Sequence, residues 1–147
     1  MTAVSTTEET LAGLFLESVR YRFEALKHNG EGALEQLEPA DLFWQWDAEA
    51  NSIAVIIQHL HGNMISRWTD FLTSDGEKPT RDRDAEFETR PQANRSELML
   101  RWQAGWACLL KAIGELKPSD LTGQVVIRGQ SLGVIDAIQR QVSHVAY

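Results

Sequence analysis

The sequence predicts an all-α fold, a four-helix bundle with a long crossover connection. Three observations carry this prediction. Four stretches place their apolar residues three and four positions apart, the period of one helix face. Start and stop signals flank most of these stretches. The gaps after the first two stretches run to roughly 20 residues, too long for the tight turns of an up-down-up-down bundle, so at least one connection crosses the bundle end.

The first helix is expected over residues 7–29. Thr6 and Glu9 have the spacing of a capping box, Ala12, Leu16, Val19, Phe23 and Leu26 form the apolar face, and Asn29-Gly30 is the stop. This places His28 at a helix C-terminus, where a protonated imidazole favours the dipole. A short turn around Leu34 and Leu37 and the aromatic segment Phe43-Trp44-Gln45-Trp46 follow. The second helix is expected over 51–73, with Ile53, Ile56, Ile57, Leu60, Met64, Trp68, Phe71 and Leu72 as its stripe and Ser74-Asp75-Gly76 as its end. The charged stretch from Glu77 to Glu88 reads as a solvated loop. The third helix, 94–116, opens on Asn94 with Glu97 at capping-box spacing and buries Leu98, Trp102, Trp106, Leu109 and Ile113 before Lys117-Pro118. Val125-Val126-Ile127 reads as a short extended piece, and the fourth helix runs over 131–147 through Ile135, Ile138, Val142 and Val145. Ile56, Leu60, Trp102, Leu109, Ile138 and Val142 are the expected core markers.

The last run carries no Gly, Asn or Pro stop, and its roughly 17 residues span about 25 Å against about 33 Å for the second helix. The expectation is one domain over 1–147 whose last helix is truncated at its C-terminal end.

The chain has 147 residues, 43% of them hydrophobic and 24% charged, which is ordinary for a globular domain. Its 21 acidic and 14 basic residues give a formal charge of -7. This argues against nucleic acid, which needs a basic footprint, and against an anionic membrane surface. No apolar run is long enough to span a bilayer and the first residues do not read as a secretory signal. With one cysteine, Cys108, an internal disulfide is excluded and a buried inert thiol is the better reading. A cytoplasmic location is the simplest expectation.

Chemistry concentrates on two helix lanes. His59 shares one with Ser52, Val55, Gly62, Asn63 and Ser66, with Arg67 further along; His144 shares the other with Ala137, Arg140 and Gln141. Small and polar neighbours leave room beside an imidazole for an ion or ligand, and neutral imidazole suits zinc, nickel or iron. His61 lies about 200° from His59 around the helix, so the two do not share a ligand, and a peripheral role is assigned to it. On spacing alone, a hydrogen-bonded structural histidine is the commoner outcome. Arg67 and Arg140 are candidates for an anionic substrate group, with surface ion pairs to Asp70 or Asp136 as the plainer alternative. Trp44 and Trp46 wall a pocket, make a dimer contact or join the core. Asp75-Gly76-Glu77-Lys78 reads as a helix-ending turn.

The segment Asn51-Ser-Ile-Ala-Val-Ile-Ile-Gln-His59-Leu60 resembles the second-helix signature of the DinB/YfiT-like superfamily of metal-dependent enzymes. Gly62-Asn63-Met64 through Glu77-Lys78, and Ile127-Arg128-Gly129 through Tyr147, resemble a bacterial branch of that superfamily known as a domain of unknown function. The resemblance covers nearly the whole chain and is strongest in the second helix. It implies a DinB-like four-helix bundle with His59 and His144 as metal ligands, and a third histidine at position 148, which this chain lacks. It further implies a metal-dependent enzyme, by analogy a thiol-dependent transferase or hydrolase, with Asn63, Arg67 and Arg140 near a small-molecule substrate such as a low-molecular-weight thiol. A divalent metal, zinc, nickel or iron, is the implied cofactor, weakly held or absent when only two histidines are present. A homodimer is the implied assembly. The competing expectation is a non-catalytic dimeric bundle that binds a small molecule or a protein partner through structural histidines.

Overall fold

A computed structural model of the chain describes residues 6–147 and shows four helices with one small hairpin. Helix α1 spans Thr7–Leu34, α2 Ile53–Trp68, α3 Arg95–Glu115 and α4 Val134–Ala146; strands β1 (Gln124–Ile127) and β2 (Gln130–Gly133) precede α4. The all-α bundle expected from periodicity is the fold observed.

Local chemistry accounts for the helix starts. Thr6 Oγ1 accepts the Glu9 N–H at 3.2 Å and Glu9 Oε2 accepts the Thr6 N–H at 3.0 Å, a reciprocal capping box. Ser52 caps Val55 N–H and Asn94 caps Glu97 N–H. Glu97 does not reciprocate; its carboxylate is taken by Arg101 one turn on.

Boundaries differ from expectation at three places. Asn29-Gly30 does not stop α1, which continues to Leu34. Gly30 is there for packing: a Cβ on it would lie 2.6 Å from the Trp102 ring. His28 is therefore inside a helix, not at its end. Helix α2 stops at Trp68 because Asp70 adopts φ +49°, outside the helical region, so Phe71 packs on the Trp68 ring from a turn, at 4.3 Å between centroids. Residues 131–133 form a strand rather than the first turn of α4. The hairpin turns through Arg128 (φ +55°) and Gly129 (φ +73°), the double positive-φ geometry of a tight two-residue loop.

Contacts between helices fix their directions. Trp102 meets Gly30 and Glu31 while Arg95 donates to the carbonyls of Leu34 and Leu37, so α1 and α3 are antiparallel. His61 meets Arg101, Met64 meets Gly105, and Thr69 meets Cys108, so α2 and α3 are parallel. Asn63 meets Gln141 and His59 meets His144, so α2 and α4 are antiparallel. The parallel pair requires the crossover, and residues 69–94 make it.

Phe23, Leu42, Ile57, Met64, Leu98, Trp106, Leu109, Val134 and Ile138 are buried at the centre. Gly105 lets α2 and α3 approach, since a Cβ there would sit 3.2 Å from Met64 Sδ and 3.3 Å from His61 Cα. Of the expected core markers, Trp102, Leu109 and Ile138 are buried, Leu60 and Val142 are half-buried, and Ile56 is 46% exposed. The Ile56 expectation fails because α2 is rotated about its axis. Its inward side carries Ala54, Ile57, Gln58 and Met64 toward α3 and the crossover, which turns Ile56 outward. Trp44 and Trp46 are not in the core; they are 64% and 80% exposed and stack edge to face on each other. Among the described residues, no helix is long and apolar enough to cross a membrane.

Candidate metal centre

His59 and His144 come from helices 85 positions apart in sequence, and their Nε2 atoms lie 3.1 Å from each other. The rings cross at 81° with centroids 5.1 Å apart. The Asn63–Gln141 side-chain bond, 3.0 Å and buried, sets the register that brings them together one turn further along. Phe87 covers the other face of His59 at 4.9 Å between centroids.

The far nitrogen of His59 is also held. Its Nδ1 lies 3.0 Å from Glu86 Oε1. Glu86 is 9% exposed and would be costly as an unpaired charge. Arg81 compensates it with two parallel bonds of 2.8 Å, Nε to Oε2 and Nη2 to Oε1. Arg81 in turn touches Glu77, which also receives a 2.6 Å bond from Arg67. The Glu86 carboxylate raises the Arg81 pKa most, ahead of the opposing effect of burial. An anionic Glu86 accepts the Nδ1 proton of His59. The neutral tautomer this selects leaves its Nε2 lone pair directed at His144.

His144 is exposed by overall surface, but the edge of its ring faces these groups. Loss of hydration lowers its pKa, and the neighbouring His59, Arg81 and Arg67 push it the same way. Both effects favour the neutral form of His144, the form that ligates metal. Two imidazole nitrogens bound to one zinc ion at about 2.0–2.1 Å stand about 3–3.5 Å apart, and the 3.1 Å separation falls within that range. The residues present fit two ligands of such an ion. Among the described residues, no group of three or more His, Cys, Asp or Glu side chains forms a complete cage.

Of the expected substrate-side residues, Asn63 is buried and its Oδ1 accepts from Gln141. Arg67 is bound to the Gly76 carbonyl and to Glu77, both at 2.6 Å, rather than to Asp70. Arg140 is exposed on α4, and among the described residues no ion pair joins it to Asp136. His61 stands apart from His59: its Nδ1 is 3.4 Å from Arg101 Nη1, and burial, more than the nearby Arg90, lowers its pKa against the pull of Glu86. Cys108 is half-buried beside Thr69. Asp75 does more than end a helix. Its carboxylate accepts the N–H groups of Glu77, Arg128 and Gly129, at 2.7, 2.8 and 2.8 Å, tying the crossover to the hairpin turn.

Glu86 and Arg81 lie in the segment expected to be solvated, and that expectation is corrected here. The segment docks onto α2 because Gly62 has no side chain; a Cβ at Gly62 would overlap the Glu86 carboxylate. Gln58 holds the same segment by donating to the carbonyls of Glu86 and Glu88, at 3.1 and 2.8 Å. A glycine three residues after a candidate ligand on an otherwise regular helix was the available signal.

The family described as "Protein of unknown function (DUF1572)" matches residues 10–147. The chain belongs to this family. A search of curated proteins gave no match.

Proposed function

We propose that this member of the family is a metal-dependent enzyme of the DinB-like type, with His59 and His144 as two ligands of a divalent ion. The observation that supports the reading is the convergence of two imidazole Nε2 atoms at 3.1 Å while a buried, Arg-paired carboxylate holds the opposite nitrogen of one of them. In metal centres a carboxylate commonly accepts from the far nitrogen of a ligating histidine, which fixes the tautomer and raises ligand basicity.

In this reading the residues divide their work. His59 and His144 hold the ion. Glu86 accepts from His59 Nδ1, and Arg81 holds the Glu86 carboxylate in place with two bonds. Phe87 limits water on one side of His59. A divalent ion supplies Lewis acidity to groups brought against it. By analogy the reaction class is a transferase or hydrolase acting on a small molecule, such as a low-molecular-weight thiol, and Arg140 is the exposed cation available to its anionic groups. Asn63 and Arg67 act by fixing α2 against α4 and against the crossover. A cytoplasmic location and a homodimer belong to the same proposal.

The test is metal titration by calorimetry on three proteins: the 147-residue chain, the same chain extended by a histidine as residue 148, and the extended chain with His59→Ala. Position 148 is one helical turn past His144, on the same face. The extended chain is expected to bind zinc firmly, the short chain weakly, and His59→Ala should remove the gain. Equal binding by all three supports the second reading, a non-catalytic bundle in which one imidazole donates to the other across the same 3.1 Å.

A further inference from the structure

Helix α1 is patterned on two faces. Its inner face sets Leu16, Val19, Phe23 and Leu26 into the core, where α1 packs against α3, α4 and the turn at Pro118–Thr122. Its outer face carries a second stripe, Leu11, Leu14, Ser18, Tyr21, Ala25 and His28, at alternating steps of three and four. On a regular helix these six positions fall within an arc of about 100°. Leu11, Leu14 and Tyr21 are 62%, 56% and 69% exposed. Ser18 and His28 are exposed and Ala25 is half-buried. The spacing is that of a coiled-coil seam, with Leu11, Ser18 and Ala25 at a and Leu14, Tyr21 and His28 at d. A helix laid along it would cover about 26 Å of α1 at 1.5 Å per residue.

Charges beside the seam select the occupant. Glu17 borders it on one side, at a g position, and Arg22 borders it on the other, at an e position. Both are exposed, and neither enters an ion pair or hydrogen bond among the described residues. Their neighbours Arg20 and Glu24 are satisfied locally, paired with each other at 3.2 Å. Glu17 and Arg22 do not meet on their own helix, since five residues place them about 140° apart around it. Between two parallel helices, however, a g position of one faces the e position five residues on in the other. A second copy aligned parallel about a two-fold axis sets Glu17 against Arg22 of that copy, and the symmetry makes the pair twice. Antiparallel alignment of the two stripes would set Glu17 against Glu24 of the second copy, like charge on like.

We infer that the outer face of α1 is an interface between two copies of this chain, their α1 helices parallel about a two-fold axis and bordered by two Glu17–Arg22 pairs. Leu11, Leu14 and Tyr21 each meet their own counterpart. Ser18 and Ala25, being small, let the helices approach. Each helix is already ordered by its own bundle, so pairing fixes little further backbone. This pairing specifies the homodimer of the proposed function and rests on it, but it uses neither histidine of the pair.

The test is sedimentation equilibrium on the 147-residue chain without metal. The parent is expected to dimerise with a Kd on the order of 10 μM, as suits a small interface. Glu17→Arg and Arg22→Glu each place like charges together twice and should weaken the dimer about tenfold. The double variant exchanges the signs and should return it to within about twofold of the parent. Both positions are exposed, and a cooperative thermal melt establishes that each variant folds. Orientation is read by oxidation in the Cys108→Ser background. Leu14→Cys should form a disulfide with its own counterpart, whereas antiparallel alignment would bring it to Ala25→Cys of a second copy. A monomer alone at about 100 μM, ten times the expected constant, overturns this pairing and the homodimer together. A dimer that ignores Glu17→Arg, that the double variant does not restore, or that forms no disulfide at Leu14→Cys overturns the α1 pairing and leaves the homodimer standing.

Discussion

Gly62→Ala isolates the docking of the crossover segment onto α2. In a solvent-exposed helix interior this change stabilises by about 1 kcal/mol, through reduced backbone entropy. Here the added Cβ overlaps Glu86 Oε2 and lies 3.1 Å from its Cγ. A flexible carboxylate could normally swing aside at little cost. Glu86 is not free to do so, because His59 holds one oxygen at 3.0 Å and Arg81 holds both at 2.8 Å. Displacing it leaves Arg81, whose side chain is only 4% exposed, without its main partner. Breaking a buried pair of this kind costs about 3–5 kcal/mol. The net expectation is destabilisation by about 2–4 kcal/mol, or a fall in Tm of about 5–15 °C for a chain of this size. Gly114→Ala on α3 is the control, since a Cβ there meets nothing within 4 Å; it should be neutral or stabilising by up to about 1 kcal/mol. Urea unfolding monitored by tryptophan fluorescence, with both variants beside the parent, measures the difference. If Gly62→Ala matches Gly114→Ala, the segment does not dock through Glu86 and the account of the site is wrong.

Gly30→Ala should also destabilise despite its gain in helix propensity, because the new methyl group would press on the Trp102 ring at 2.6 Å; thermal melts against Gly114→Ala show it. In the histidine-extended chain, Glu86→Gln should lower zinc affinity by about 10–100-fold, the usual effect of losing a carboxylate that orients a ligating histidine, as read by competition with a chromophoric chelator. For His61, burial places the folded-state pKa below the unfolded value of about 6.5. Its contribution to stability is then present above that pH and lost as pH falls through the folded pKa. The Tm of the parent should accordingly drop more between about pH 7 and pH 5 than that of His61→Gln. Sedimentation equilibrium at tens of micromolar should show a species of twice 16.6 kDa if Leu11, Leu14 and Tyr21, all more than half exposed on α1, are covered by a second copy; a monomer alone refutes the pairing.

What the sequence could and could not reveal follows from which interactions are local. The Thr6–Glu9 and Asn94–Glu97 signals were readable because a cap and its target are three residues apart, and the caps at Thr6, Ser52 and Asn94 are all formed. The end of α1 was not readable: Asn29-Gly30 is a stop by local propensity, but Trp102, 72 positions away, is what requires Gly30. Periodicity identified the apolar stripe of α2 yet misjudged its rotation, because the crossover segment draws Gln58 and Gly62 inward and turns Ile56 out.

The candidate site shows the same division more sharply. Two histidines on separate helices mean little by spacing, and their meeting depends on Asn63 finding Gln141 across 78 positions. The carboxylate behind them is harder still to foresee. A stretch that reads Arg81-Asp-Arg-Asp-Ala-Glu86 has the composition of a solvated loop, and most of its side chains are exposed as composition demands. Only Glu86 and Arg81 turn inward, and each makes the burial of the other tolerable. Charge balance, unlike hydrophobic burial, leaves no periodic trace along the chain. That places the informative residue not in the loop but in the helix opposite it. Gly62 is a poor helix former retained in the middle of α2, and its one evident structural use is to make room for a carboxylate that holds His59.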